Sequence, residues 1–224
     1  HIPVPAIDLC EITNRGNIPL EKLSVVADAA TTPFQAAKRA DLQVGDNTIV
    51  IGVGGVGQYM VQVLKALGAG NVVAIDINKE RLDTMLKNGA DAVINSMGKS
   101  SRDVAGELKA FRKENGLPGT GWKIFEVSGT NPGQELALSL LSFTGKLLIV
   151  GFGPQKVEYS ISRIMAFDAE IIGTWGCLPE YYPLVLGLVT SGKINLEDFV
   201  QTRPMSSIQE SFEEAHKQSP DKRI

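Results

Sequence analysis

Thr48-Ile49-Val50-Ile51-Gly52-Val53-Gly54-Gly55-Val56-Gly57 decides how this chain is read. Residues 48–53 are a short β-branched run, suited to a buried strand. From Val56 to Leu67 the apolar residues Val56, Met60, Val63, Leu64 and Leu67 recur at helical spacing, and Gly68 follows the last of them. A glycine-rich turn therefore joins a strand to a helix. Gly52 permits the tight turn, Gly54 carries no Cβ to obstruct a ligand, and Gly57 lets the helix pack closely on the strand. The helix start at Val56 offers amide N–H groups and the positive end of its dipole to a phosphate.

The same alternation continues outward. Residues 72–75 form a second apolar strand followed by Asp76, and residues 79–88 a helix closed by Gly89. Residues 92–94 read as a third strand. Ser100 or Ser101 caps a helix with Val104, Leu108 and Phe111 on its apolar face, ending at Gly116. Residues 122–127 are a fourth strand; Asn131 then caps a helix with Pro132 at its first position, running to about Leu141. Residues 147–150 give a fifth strand, 161–167 a short helix and 170–172 a sixth strand. Upstream, residues 20–40 read as helical, with Pro33 forcing a break or kink.

Strands and helices alternating at this spacing predict an α/β fold, a doubly wound parallel sheet of six strands of the Rossmann type. Strands with almost no polar alternation fit a sheet covered on both faces. The expected organisation is a connector over residues 1–22, then a nucleotide-binding domain over 23–173. Residues 174–224 are expected to form a partial segment of a second domain, with helices near 180–191 and 208–217.

Gly52-Val53-Gly54-Gly55-Val56-Gly57 is a GxGxxG pattern with Gly55 as an additional glycine. Alone it is weak; between a strand and a helix it is specific. Asp76 ends the second strand, where its carboxylate can accept hydrogen bonds from adenosine ribose hydroxyls and would repel a 2′-phosphate. Together these residues point to NAD. A glycine-rich turn with a capping Asp is the plainer reading, and S-adenosylmethionine is another nucleotide that such a fold accepts.

Composition excludes other classes. The formal charge is −3 and the basic residues are scattered, which argues against a nucleic-acid surface. Apolar residues make up 43%, enough for a sizeable core. No apolar run is long enough to span a membrane, and no signal peptide is evident. The two cysteines, Cys10 and Cys177, lie far apart and in no CxxC pair, so reduced cytoplasmic thiols are expected. With only His1 and His216 as histidines, a zinc site made wholly within this chain is not expected. The chain opens on His1 and stops at Arg223-Ile224, in what reads as the opening of a strand; both ends read as cut.

Several stretches resemble the cofactor half of medium-chain, zinc-alcohol-dehydrogenase-type dehydrogenases. They are Leu42-Gln43-Val44-Gly45-Asp46 leading into Ile49 to Gly57, then Val73-Ala74-Ile75-Asp76-Ile77-Asn78-Lys79-Glu80-Arg81, then Asn88-Gly89-Ala90-Asp91. The resemblance covers about Leu23 to the C-terminus, and it implies that residues 1–22 lead in from an N-terminal catalytic lobe and that 174–224 return toward it. It implies hydride transfer from a secondary alcohol to NAD, zinc as a Lewis acid in the intact enzyme, and a homodimer or homotetramer. Turnover by this chain alone is not expected.

The resemblance also implies roles. Thr32 packs near the nicotinamide ribose, and Arg81 reaches the adenosine ribose. Val127 and Ser128 line the crevice between them. The backbone of Val150, Gly151 and Phe152 meets the nicotinamide carboxamide, with Gly173 and Trp175 beside it. Core packing is an equal reading of Phe152 and Trp175. Asp28 stands where the family takes its third zinc ligand, and a carboxylate can ligate zinc; a surface or supporting Asp is the other reading. No catalytic acid or base is assigned.

A narrower resemblance rests on Val25-Val26-Ala27-Asp28-Ala29-Ala30-Thr31-Thr32-Pro33, Thr120-Gly121-Trp122-Lys123-Ile124-Phe125-Glu126, Met165-Ala166-Phe167-Asp168 and Trp175-Gly176-Cys177-Leu178-Pro179-Glu180. These look like 6-hydroxycyclohex-1-ene-1-carbonyl-CoA dehydrogenases of anaerobic aromatic degradation. The substrate so implied is a small molecule carried as a CoA thioester. The rival expectations are an NADPH-dependent, zinc-free quinone or enoyl reductase, against which Asp76 argues, and a non-enzymatic dinucleotide-sensing module.

Overall fold

The computed structural model describes residues 3–217 and 222–223. Its elements in chain order are α1 (Leu20–Leu23), α2 (Thr31–Arg39), β1 (Asn47–Ile51), α3 (Gly57–Ala66), β2 (Asn71–Asp76), α4 (Lys79–Lys87), β3 (Ala92–Asn95), α5 (Ser101–Glu114), β4 (Lys123–Glu126), α6 (Asn131–Leu140), β5 (Lys146–Ile149), α7 (Ser162–Ala166), β6 (Glu170–Gly173), α8 (Tyr182–Thr190) and α9 (Ile208–Lys217). The six strands pair in parallel in the order β3-β2-β1-β4-β5-β6, the doubly wound sheet that the sequence predicts. The chain winds outward from β1 in both directions. A crevice therefore opens at the carboxyl ends of β1 and β4, where the winding reverses.

Strand side chains alternate between two apolar layers, which is why polar alternation is missing. Ile49, Ile51, Ile75, Ile124 and Leu147 pack with Trp122, Leu108 and Leu136 on one face. Val50, Ala74, Phe125 and Leu148 pack with Ala37, Met60 and Leu64 on the other.

Local chemistry sets the helix starts. Ser100 accepts from the Asp103 amide at 3.3 Å while the Asp103 carboxylate accepts from the Ser100 amide at 2.9 Å, a reciprocal cap on α5. The cap of α6 is Thr130 rather than Asn131: its hydroxyl accepts from the Gly133 amide at 3.2 Å, and Pro132 falls one position further in. The helix expected over 20–40 is not continuous. A 3-10 turn at Ser24–Ala27 follows α1, and the chain breaks at Asp28 (φ −136°, ψ −58°) before α2 begins. Pro33 does not cause this break; it sits in the first turn of α2, where its missing N–H has no helical partner to lose.

Residues 3–17, read as a connector, are exposed apart from half-buried Cys10. Part of the stretch after Gly173 packs on this domain, whereas Met205, Ile208 and Phe212 further on are exposed. Val185, Val189, Ile194, Leu196, Phe199 and Val200 are buried in the same layer as α2 and α3. Arg223 pairs as a parallel bridge with Val200. Among the described residues no helix is long and apolar enough to cross a membrane.

Candidate functional site

The glycine turn is built by contact. Gly52 takes φ +87° and donates its N–H to Ile75 O at 2.8 Å, tying the end of β1 to β2. A Cβ on Gly52 would stand 2.7 Å from the backbone of Ser128, and a Cβ on Gly57 only 1.8 Å from Gly52 O. Both positions therefore exclude any side chain. A Cβ on Gly55 would meet only the tip of Arg223, 3.0 Å away. No side chain caps α3 at Val56, so its positive end faces the crevice.

Asp76 closes the turn from the side. Its carboxylate accepts from the Val53 amide at 2.7 Å and from the Asn78 amide at 2.8 Å. Asn78 caps α4 by accepting from the Arg81 amide at 3.1 Å, which fixes Arg81 beside Asp76. Gly52, Gly54, Gly55, Val56, Gly57, Asp76, Arg81, Val127 and Ser128 all line one open cavity of about 1260 Å³. The structure thus brings together nine of the residues singled out in the sequence. The cradle fits a dinucleotide: a turn stripped of Cβ atoms, an uncapped helix start and a carboxylate at the next strand end.

The other six do not line that cavity. Val150 and Gly151 follow β5, both donating their N–H to Glu126 O at 2.9 Å. Phe152 is 80% exposed and Trp175 is 85% exposed, so neither packs in the core. Gly173 ends β6 with open space where a Cβ would be. Thr32 lies in the first turn of α2 and donates to Asp28 at 3.1 Å.

Asp28 faces a cation of the chain itself. Its second carboxylate oxygen pairs with the Arg223 guanidinium at 2.5 Å. Among the described residues no three of His, Cys, Asp and Glu come together as a metal would need. The donors around Asp28 are a hydroxyl and a guanidinium, so these residues do not fit a zinc centre by themselves.

Three features were not read from the sequence. Glu126 is fully buried at the end of β4, and burial pushes its carboxyl above the ordinary range against the pull of its bonds from Ser128 and Gly129. The signal was an acid at the end of a strand whose two central residues, Ile124 and Phe125, are apolar. Arg223 reaches Asp28 across the whole chain, and nothing local announces that. Cys10 and Cys177, distant in sequence, line one small cavity of about 250 Å³ as free thiols. Burial pushes Cys177 up to about 11, which makes it a poor nucleophile near neutral pH.

The family described as zinc-binding dehydrogenase matches residues 55–191, more than half of the chain. The chain belongs to the zinc-binding dehydrogenase family. Among its relatives, a probable D-xylulose reductase A of Aspergillus fumigatus is 32% identical over 184 residues, 80% of this chain and 51% of that protein. A sorbitol dehydrogenase of Bombyx mori is 26% identical, over 86% of this chain and 56% of that protein. Among solved structures, galactitol-1-phosphate dehydrogenase from Escherichia coli superposes with a TM-score of 0.78 at 26% identity, covering 91% of this chain and 60% of the other. The chain spans about half the length of the curated relatives it matches. Its six-stranded parallel sheet with the glycine turn is the Rossmann-type domain of that family.

Proposed function

We propose that this zinc-binding dehydrogenase chain binds NAD and serves an intact enzyme that oxidises a secondary alcohol. The observation that carries the reading is Asp76, a carboxylate held by the Val53 and Asn78 amides at the edge of the glycine cradle. A fixed negative charge there suits ribose hydroxyls and opposes a 2′-phosphate. When bound, the nicotinamide supplies the hydride acceptor. The chain's own residues hold and orient it. The Gly52–Gly57 turn and the start of α3 take the diphosphate, Asp76 and Arg81 the adenosine ribose, and Val127 and Ser128 the crevice wall. The nicotinamide end is assigned to Thr32, Val150, Gly151, Phe152, Gly173 and Trp175. Asp28 is a zinc ligand only if its pair with Arg223 opens.

A second copy is the expected partner. Glu170–Gly173 is an edge strand with an open side, and edge strands of this kind are relieved by pairing. Residues 1–22 and 174–224 are assigned as the links to a catalytic lobe, and the cytoplasm as the compartment of the free thiols. On the substrate, the cyclic hydroxy acyl-CoA reading rests on residue resemblance alone, and the names of the relatives favour a polyol. Turnover by the intact enzyme with NAD separates them. Oxidation of the CoA thioester with sorbitol ignored supports the first, and the reverse rejects it.

A further inference from the structure

Both backbone polar groups of Gly129 are held by side chains from opposite sides. Its N–H donates to the buried Glu126 carboxylate, at 3.1 Å to Oε1, and its C=O accepts from Gln155 Nε2 at 2.8 Å. Glu126 Oε1 also accepts from the Ser128 amide at 2.9 Å and from the Ser128 hydroxyl at 2.5 Å. Gln155 belongs to the loop that follows β5, so the two side chains join the ends of β4 and β5 through one residue. The backbones meet directly there. A Cβ on Gly129 would stand 2.4 Å from Phe152 O, one on Gly151 2.2 Å from Gly129 N, and one on Gly153 2.1 Å from Gly129 O. Gly129 itself takes φ +63°.

Three glycines in contact give this region the least intrinsic stiffness of any backbone. Its order must come from bonds supplied from outside, and a buried carboxylate accepting several N–H and O–H bonds is among the stiffest acceptors available. We propose that Glu126 and Gln155 are positioning residues that clamp Gly129. They set the spacing between Ser128 and the Val150 to Phe152 backbone, and so fix where the nicotinamide end of the cofactor lies, without touching it. This rests on the NAD reading above. Asp76 and the Gly52 turn hold the adenosine end by separate bonds, so the two ends of the cofactor are positioned by separable devices.

The test compares two ligands on the 224-residue chain. NADH carries both ends, and ADP-ribose has the same adenosine and diphosphate without nicotinamide. Gln155→Ala removes the donor to Gly129 from a partly exposed loop. It should weaken NADH about five- to tenfold while ADP-ribose changes by less than about twofold. Glu126→Gln keeps an acceptor oxygen for Gly129 and should hold the ratio of the two affinities within about threefold of wild type. Equal loss of both ligands in Gln155→Ala, or no loss of either, overturns the clamp and leaves the NAD reading standing. Wild-type chain that binds neither ligand overturns the NAD reading and the clamp with it.

Discussion

The Asp76 carboxylate accepts the Val53 amide at 2.7 Å, across the gap between the end of β2 and the glycine turn after β1. The acid assigned to the ribose is therefore also a clasp. Asp76→Ala removes both functions: NADH affinity should fall about tenfold, and the fold should lose about 1–3 kcal/mol for the amides left unpaired. Asp76→Asn keeps one acceptor oxygen and should stay closer to wild type in stability, while its preference against NADPH shrinks. Titration and urea unfolding on the same samples check this. Unaltered stability in Asp76→Ala would mean that the clasp carries nothing.

Gly57 and Gly55 are neighbours with unequal tolerance. A methyl on Gly57 collides with Gly52 O at 1.8 Å, whereas one on Gly55 meets only the flexible end of Arg223 at 3.0 Å. Gly57→Ala should abolish measurable NADH binding and cost about 1–3 kcal/mol of stability, the range for forced overpacking. Gly55→Ala should keep the fold and lose affinity by less than about tenfold. Equal behaviour of the two variants in calorimetry would contradict the geometry.

Asp28 and Arg223 form a partly exposed pair, with side chains 61% and 32% accessible. Such pairs contribute under about 1 kcal/mol. Asp28→Asn should therefore lower the melting temperature by no more than about 4 °C in a chain of this size. Added zinc should produce no saturable rise in the melting temperature of the wild-type chain. A saturable rise that Asp28→Asn removes would show that Asp28 ligates zinc without the partners expected from elsewhere.

Glu126 gives the stability a slope with pH. Burial raises its folded-state carboxyl above the ordinary range, so the folded chain keeps that proton to higher pH than the unfolded chain does. Stability from this group is full below the ordinary carboxylate range and is lost as pH rises through the raised value. Glu126→Gln has no proton to lose. Urea midpoints taken across that window should show wild type falling relative to Glu126→Gln as pH rises. The opposite slope would contradict the assignment.

The sheet is legible because its strands are short apolar runs punctuated by glycines. The sequence leaves Ser100 and Ser101 as equal caps of α5, and the reciprocal bonds with Asp103 decide for Ser100. The sequence does not separate Thr130 from Asn131, because both are good caps and Pro132 is tolerated at either early position. Pro33 is a louder breaking signal than anything local at Asp28, where the break in fact lies. In the site, the glycine turn and Asp76 were legible since strand, turn and helix are contiguous. Glu126, Gln155 and Arg223 were not, because each acts through a contact that the fold creates. Phe152 and Trp175 read equally as core packing or as part of the nicotinamide end, because side-chain type does not say what covers a residue.

Calorimetric titration of the 224-residue chain with NADH and with NADPH tests the central claim most directly. The carboxylate of Asp76 beside the glycine cradle predicts saturable NADH binding, and NADPH binding at least about tenfold weaker, since a phosphate would face a fixed negative charge. NADPH binding as tight as NADH, or no heat from either cofactor at millimolar concentration, would contradict the account.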